Sequence, residues 1–252
     1  MTSPEIDAAC DQAIAPSDNA ARSAYLCAAA GLVMGTAAAA CATGAVVFAH
    51  AGRNAASLLE GSAALVWLWA CVATVMLCAS FVARSPRLFA RTREGRIGAL
   101  RATTLAPVLV GASFWNATRQ AKHAPCNEIV AGLWLGDRRA ASERPWSLVL
   151  DLTCEYTTPS TETSPYVCLP CLDGTRVTAP VLREAAQRID QALLEPGARV
   201  LVHCARGRWR SAQAVAFWLC THQKLSPAQA WALLKAQRAQ VKTPRRYSGD
   251  AR

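Results

Sequence analysis

The chain has 252 residues, of which 52% are hydrophobic and 17% charged, and a formal net charge of +10. That composition is too apolar for a chain that is disordered over most of its length. Its 11 cysteines follow no repeating spacing, which excludes a short disulfide-built secreted scaffold and fits a reducing compartment.

Residues 1–22 form an acidic tail, with four carboxylates against Arg22. Two stretches without a formal charge follow, residues 23–49 and 61–83. Each exceeds the roughly 20 residues that cross a bilayer core. The first is too long for the apolar core of a signal peptide, and the segment before it is acidic where such a peptide would be basic. Two transmembrane helices are therefore predicted within 23–83, joined by a short outside turn over 51–60. Gly31 and Gly35 have the spacing of a small-residue helix contact, which would serve a homodimer.

Six arginines between Arg84 and Arg101 then form a basic collar. Such a collar belongs on the cytoplasmic side, so an integral protein of the inner or plasma membrane with a cytoplasmic C-terminal domain is expected. Residues 102–118 are uncharged but short, polar and interrupted by Pro107. Basic residues flank them on both sides, and a helix lying in the interface, with Phe114 and Trp115 at headgroup depth, is expected rather than a third crossing. The segment 84–122 is thus juxtamembrane, and 123–252 is the remaining domain.

In that domain the pattern changes to short strands and amphipathic helices. Glu128-Ile-Val-Ala-Gly-Leu-Trp-Leu-Gly136 predicts two strands turning at Gly132, and 147–152 and 166–169 predict two more. A helix is predicted from 178 or 179 to 194, a strand over 199–203, a helix over 211–222, and a last helix over 227–241 with Ser226 as its cap and Pro227 at its first position. Strands alternating with helices predict an α/β domain with a mostly parallel central sheet.

The segment Val200-Leu-Val-His-Cys-Ala-Arg-Gly-Arg-Trp-Arg-Ser211 concentrates the chemistry. A buried strand ends in Cys204, five loop residues follow, and Arg210 opens a helix, at the strand end where α/β sheets bind ligands. Backbone N–H groups of such a loop converge into an anion nest capped by the helix N-terminus. Gly207 supplies conformational freedom, and the Arg210 guanidinium can grip two phosphate oxygens in a fork that lysine cannot form. The same positive field favours the Cys204 thiolate.

His203-Cys204-Ala205-Arg206-Gly207-Arg208-Trp209-Arg210-Ser211 resembles the His-Cys-x5-Arg-Ser/Thr signature of cysteine-dependent protein tyrosine phosphatases, and the short domain resembles their dual-specificity branch. Residues 128–136, 149–153 and 169–173 are similar to that branch's opening and middle blocks. The resemblance implies that Cys204 attacks phosphorus and forms a thiophosphate. Arg210 and the loop from Ala205 through Arg206, Gly207, Arg208 and Trp209 would hold the phosphate oxygens. Ser211 would assist the departing thiolate, His203 would order the loop from behind, and Asp173 would be the general acid and then the base. No metal and no cofactor is expected. Asp151 reads as a structural strand-end residue, and Cys168-x-x-Cys171 as a coincidence of spacing without a second ligand pair.

Arg206 and Arg208 exceed what a phosphotyrosine site needs and resemble the loops of lipid-directed members. With the basic collar, they point toward a phosphorylated lipid, while a phosphorylated protein at the membrane surface stays open as the substrate, with membrane lipids as further partners and no nucleic acid. A catalytically inactive module that binds phosphorylated partners is the alternative. It predicts the loss of Cys204, Arg210 or Asp173, and all three are present.

Overall fold

The computed structural model describes residues 55–117, 123–157 and 164–244. The acidic tail, the first expected crossing, part of the loop before Pro165 and the last eight residues lie outside them. The chain divides into two units. One takes in residues 91–96 and the chain from 116 onward, and the other takes in 55–90 and 97–115.

The second of these units holds helix α1 (Ala55–Val82), a short 3-10 turn (Pro86–Leu88) and helix α2 (Ala99–Ala117). Helix α1 begins inside the stretch expected to be an outside turn. Ala55, Ala56, Leu58 and Leu59 are good helix formers, and no proline or glycine intervenes before Gly61, so one glutamate does not stop the backbone. Pro107 lies within α2 and interrupts nothing. It has no N–H for the carbonyl of Thr103 one turn back, and the Trp69 indole Nε1 donates to that carbonyl instead, at 2.9 Å. Among the described residues no helix is long and apolar enough to cross a membrane. Large apolar side chains nevertheless stand exposed on both helices: Leu65, Val66, Leu68 and Val75 on α1, and Leu100, Val110 and Phe114 on α2.

The other unit is built on strands β1 (Cys126–Val130), β2 (Leu133–Asp137), β3 (Leu148–Asp151), β4 (Tyr166–Cys168) and β5 (Val200–Cys204). They form one sheet in the order β1-β2-β5-β3-β4, and only the β1–β2 pair is antiparallel. The expected alternation of strands and helices is therefore present, with helices α3 (Ala179–Leu193), α4 (Arg210–Thr221) and α5 (Pro227–Gln237). Gly132 makes the β1–β2 turn at φ 80°, where an added Cβ would lie 2.7 Å from the Ala198 carbonyl oxygen.

Alternation along the strands assigns two faces. Leu150, Leu152, Val200, Val202 and Cys204 share one core with Phe217 and Trp231, while Val149 and Leu201 pack on the other side with Trp146 and Cys126. Asp151 and His203, opposite each other in register, belong to that second face. Helix α4 is buried on all sides from Arg210 to Cys220, as its composition of small and apolar residues allows.

Helix α5 has the expected Ser226 cap, closed reciprocally by Gln229. It ends at Gln237 and not near 241. The buried Arg238 leaves helical geometry at φ −140°, ψ 87° because its guanidinium is bound to backbone elsewhere, and the following residues turn until the Lys242 N–H meets the Arg208 carbonyl at 2.9 Å.

Candidate active site

The carboxyl end of β5 and the first turn of α4 leave the loop 205–209 between them, and its backbone is fixed from three sides. Gly207 stands at φ 61°, and an added Cβ would lie 2.4 Å from the Gly136 carbonyl oxygen, so no other residue fits. Arg238 Nε donates to the Gly207 carbonyl at 3.0 Å, while its Nη1 donates to Asn127 Oδ1 at 2.6 Å and to the Ala124 carbonyl at 3.1 Å. Arg208 Nε donates to the Gln240 carbonyl at 3.0 Å. Arg206, Arg208 and Trp209 remain partly exposed, whereas Ala205 and Gly207 are buried.

Cys204 is buried beneath this loop, and Ser211 Oγ lies 3.2 Å from its sulfur. Burial alone raises a thiol pKa. Here the Arg210 guanidinium, the Ser211 hydroxyl and the backbone N–H groups of Ser211 and Arg206 outweigh it, and Cys204 is held below the ordinary thiol value. The other buried thiols go the opposite way. Burial pushes Cys126 up to about 11 and Cys171 up to about 12, and raises Cys154 and Cys168 as well. Cys154 and Cys171 also feel the Arg210 charge, so what separates Cys204 from these four is the set of hydrogen-bond donors from Ser211 and Arg206 that converge on its sulfur. Cys168 and Cys171 are free thiols facing the carbonyls of Thr153 and Leu169, and among the described residues no cluster of metal-ligating side chains exists.

Arg210 is fully buried. Its Nη1 donates to the carbonyls of Leu152 (3.2 Å) and Cys171 (2.9 Å) and to Glu155 Oε2 (2.9 Å), and its Nη2 donates to Glu155 Oε1 (2.6 Å). Its Nε has no hydrogen-bond partner. Asp173, whose side chain is 70% exposed, follows β4 and places Oδ1 3.3 Å from Arg210 Nη2. The expected residues Cys204, Arg210, Ser211 and Asp173 are thus brought to one place. His203 is buried below the loop, with Nδ1 3.8 Å from Asp151 Oδ1.

Glu155 was not singled out in the sequence. It stands in a Thr-Cys-Glu-Tyr stretch with no periodicity, and only the path of the chain after β3 brings its carboxylate to Arg210. The signal available was its position shortly after a strand whose carboxyl end faces the site.

Residues 135–248 match the sequence model of the family described as dual specificity phosphatase, catalytic domain. No curated protein matches the chain. Among solved structures it is similar to human DUSP28, at 20% identity, covering 51% of this chain and 90% of that one with a TM-score of 0.44. Tk-PTP in its active form is 23% identical over 46% of this chain and 86% of that one, with a TM-score of 0.42. PTPMT1 in complex with PI(5)P is 21% identical over 47% of this chain and 86% of that one, with a TM-score of 0.42.

Proposed function

With residues 135–248 as a cysteine-dependent phosphatase domain of the dual-specificity kind, we propose that the protein hydrolyses a phosphomonoester of a phospholipid headgroup at a membrane surface. The observation that carries the chemistry is the pairing of a depressed Cys204 thiol with a buried Arg210 whose Nε is unspent. The thiolate attacks phosphorus, and the S–P bond forms as the ester P–O bond breaks. Arg210 and the loop amides hold the equatorial oxygens, where a preorganised positive field acts without reorganisation. Phosphate takes Nη2 from Asp173, whose solvent-exposed carboxylate, freed from the ion pair, takes up a proton from solvent and delivers it to the leaving alcohol. Asp173 then draws a proton from water, which breaks the S–P bond and yields inorganic phosphate. Ser211 stabilises the thiolate that departs. His203 orders the loop from below. The presence of Cys204, Arg210 and Asp173 in one site supports an enzyme over an inactive binding module.

Arg206 and Arg208, partly exposed on the loop, support a substrate with more negative charge than a single phosphotyrosine. The apolar side chains exposed on α1 and α2 and the exposed arginines Arg84, Arg87, Arg93 and Arg96 of the collar support anchoring in a membrane, with the domain on the cytoplasmic side; Arg91 is buried and takes no part in it. A reporter fused after Arg252 tests that placement; activity only outside the cytoplasm refutes it. For the reaction, wild-type and Cys204→Ser chains are compared on phosphatidylglycerophosphate, phosphoinositides and phosphotyrosine peptides. Cys204-dependent phosphate release from a lipid is expected. Release from the peptides alone refutes the lipid assignment, and release unaffected by Cys204→Ser refutes the mechanism.

A further inference from the structure

Arg91 lies outside the matched segment, in the stretch 91–96 that packs within the catalytic unit. Its neighbours form a tight turn: the Thr92 N–H meets the Arg96 carbonyl and the Gly95 N–H meets the Thr92 carbonyl, each at 2.9 Å, with Gly95 at φ 78°. The turn is tied to the edge of the sheet, where the Cys168 N–H of β4 donates to the Arg93 carbonyl at 2.6 Å and Arg93 pairs with Glu184 of α3.

The Arg91 side chain is 0% exposed, and each of its nitrogens is used. Nε donates to the Gly95 carbonyl at 3.0 Å. Nη1 lies 2.9 Å from Asp151 Oδ2 and donates to the carbonyl and hydroxyl oxygens of Thr153, each at 2.7 Å. Nη2 donates to the Tyr166 hydroxyl at 2.8 Å, and that hydroxyl donates to Asp151 Oδ2 at 2.5 Å. Asp151 is thereby held from β4 and from the turn, while its other oxygen accepts from the Thr153 N–H at 2.8 Å and stands 3.8 Å from His203 Nδ1. His203 is covalently next to the nucleophile.

Resting on the phosphatase reading above, we infer that Arg91 is a positioning residue for Cys204: it neutralises Asp151 beneath the phosphate loop and pins the ends of β3 and β4, from which the segments bearing Glu155 and Asp173 depart. A buried carboxylate without a partner is costly, and it takes up a proton or draws one onto a neighbour. With Arg91 in place it does neither. The charged and titratable groups facing the pair are Arg91 from the turn, Asp151 from β3, Tyr166 and Cys168 from β4, Arg138 from the turn after β2, and Cys204. Burial holds the His203 imidazole below its ordinary range. Burial raises Asp151, but His203, Arg91 and the hydrogen bonds of Tyr166 and Thr153 together take it below its ordinary value. Without Arg91, His203 is the remaining basic partner of Asp151, and its protonation changes the field on the adjacent Cys204.

The test uses the full chain in detergent, with Arg91→Met, Arg91→Lys, Asp151→Asn and the Arg91→Met/Asp151→Asn pair. Arg91→Met is expected to lower kcat about tenfold with KM within about twofold, a loss of roughly 1.4 kcal/mol. Its kcat profile should gain an ionisation between about pH 5 and 8. Both effects should vanish when Arg91→Met is introduced into Asp151→Asn, since the buried charge is then gone. Arg91→Lys, which keeps the charge beside Asp151, should stay within about threefold of wild type and carries the test if Arg91→Met does not fold. The alkylation rate of Cys204 by iodoacetamide at pH 6 needs no substrate, so it separates a failure of the phosphatase reading from a failure of this one. It should change at least threefold in Arg91→Met and not in the pair. Unchanged kcat and alkylation in folded Arg91→Met, an undiminished loss in the Asp151→Asn background, or a full loss in folded Arg91→Lys overturns the inference.

Discussion

Glu155→Gln separates the two tasks that fall on Arg210. The Glu155 carboxylate accepts bonds of 2.6 and 2.9 Å from a fully buried guanidinium, and its own side chain is only 12% exposed. Little water screens the pair. Removing one partner of such a pair costs roughly 3–5 kcal/mol. Glutamine keeps one acceptor oxygen, which returns a charge-assisted bond, so a loss of about 2 kcal/mol is expected. A phosphate or another oxyanion in the loop supplies the missing negative charge. Inorganic phosphate should therefore bind up to about 30-fold more tightly to the variant, because 1.4 kcal/mol is a factor of ten. The assay is urea unfolding of both proteins with and without phosphate, beside steady-state kinetics. The variant should be less stable alone, gain more from phosphate and show a lower kcat, since Arg210 is less firmly oriented. Equal unfolding midpoints without phosphate, or equal gains with it, refute the idea that Glu155 stands in for the substrate's charge at Arg210.

The remaining predictions concern the loop and the buried carboxylate. Ser211→Ala removes a hydrogen bond that favours the Cys204 thiolate, so the pH midpoint of its alkylation should move up. Turnover should fall by about 10- to 100-fold through slower breakdown of the thiophosphate; an unmoved midpoint refutes the role. Gly207→Ala cannot be accommodated against the Gly136 carbonyl without shifting the loop, and kcat/KM should drop more than about 100-fold while far-UV circular dichroism changes little. Activity near wild type would show that the loop tolerates the shift. Asp151 has a folded-state pKa below its unfolded value, so its contribution is complete above about pH 5 and is lost as pH falls below about 4 through the folded value. The urea midpoint of the wild type minus that of Asp151→Asn should shrink over that window, and a constant difference refutes the assignment.

Local pattern made most of the catalytic unit legible. The strands fell where short apolar runs end in glycine or polar loops, and α3 where apolar residues recur at helical spacing, because backbone pairing and amphipathic burial are imposed by near neighbours. Cys204, Arg210 and Ser211 were readable for the same reason: a strand, a five-residue loop and a helix start are consecutive in sequence, and their geometry follows from that order. Helix α5 was predicted four residues too long because nothing local marks Arg238 as a breaker. Its guanidinium is claimed by the Gly207 carbonyl and by Asn127, which only the closed fold brings near. Glu155 was invisible on the same grounds, and Arg91, counted in the membrane collar from its neighbours in sequence, is instead buried against Asp151. The sequence by itself determined which atoms could attack and grip phosphate. Tertiary structure decided which distant charges face them, because in a buried site an ion's partner is set by where the chain returns and not by its neighbours in sequence.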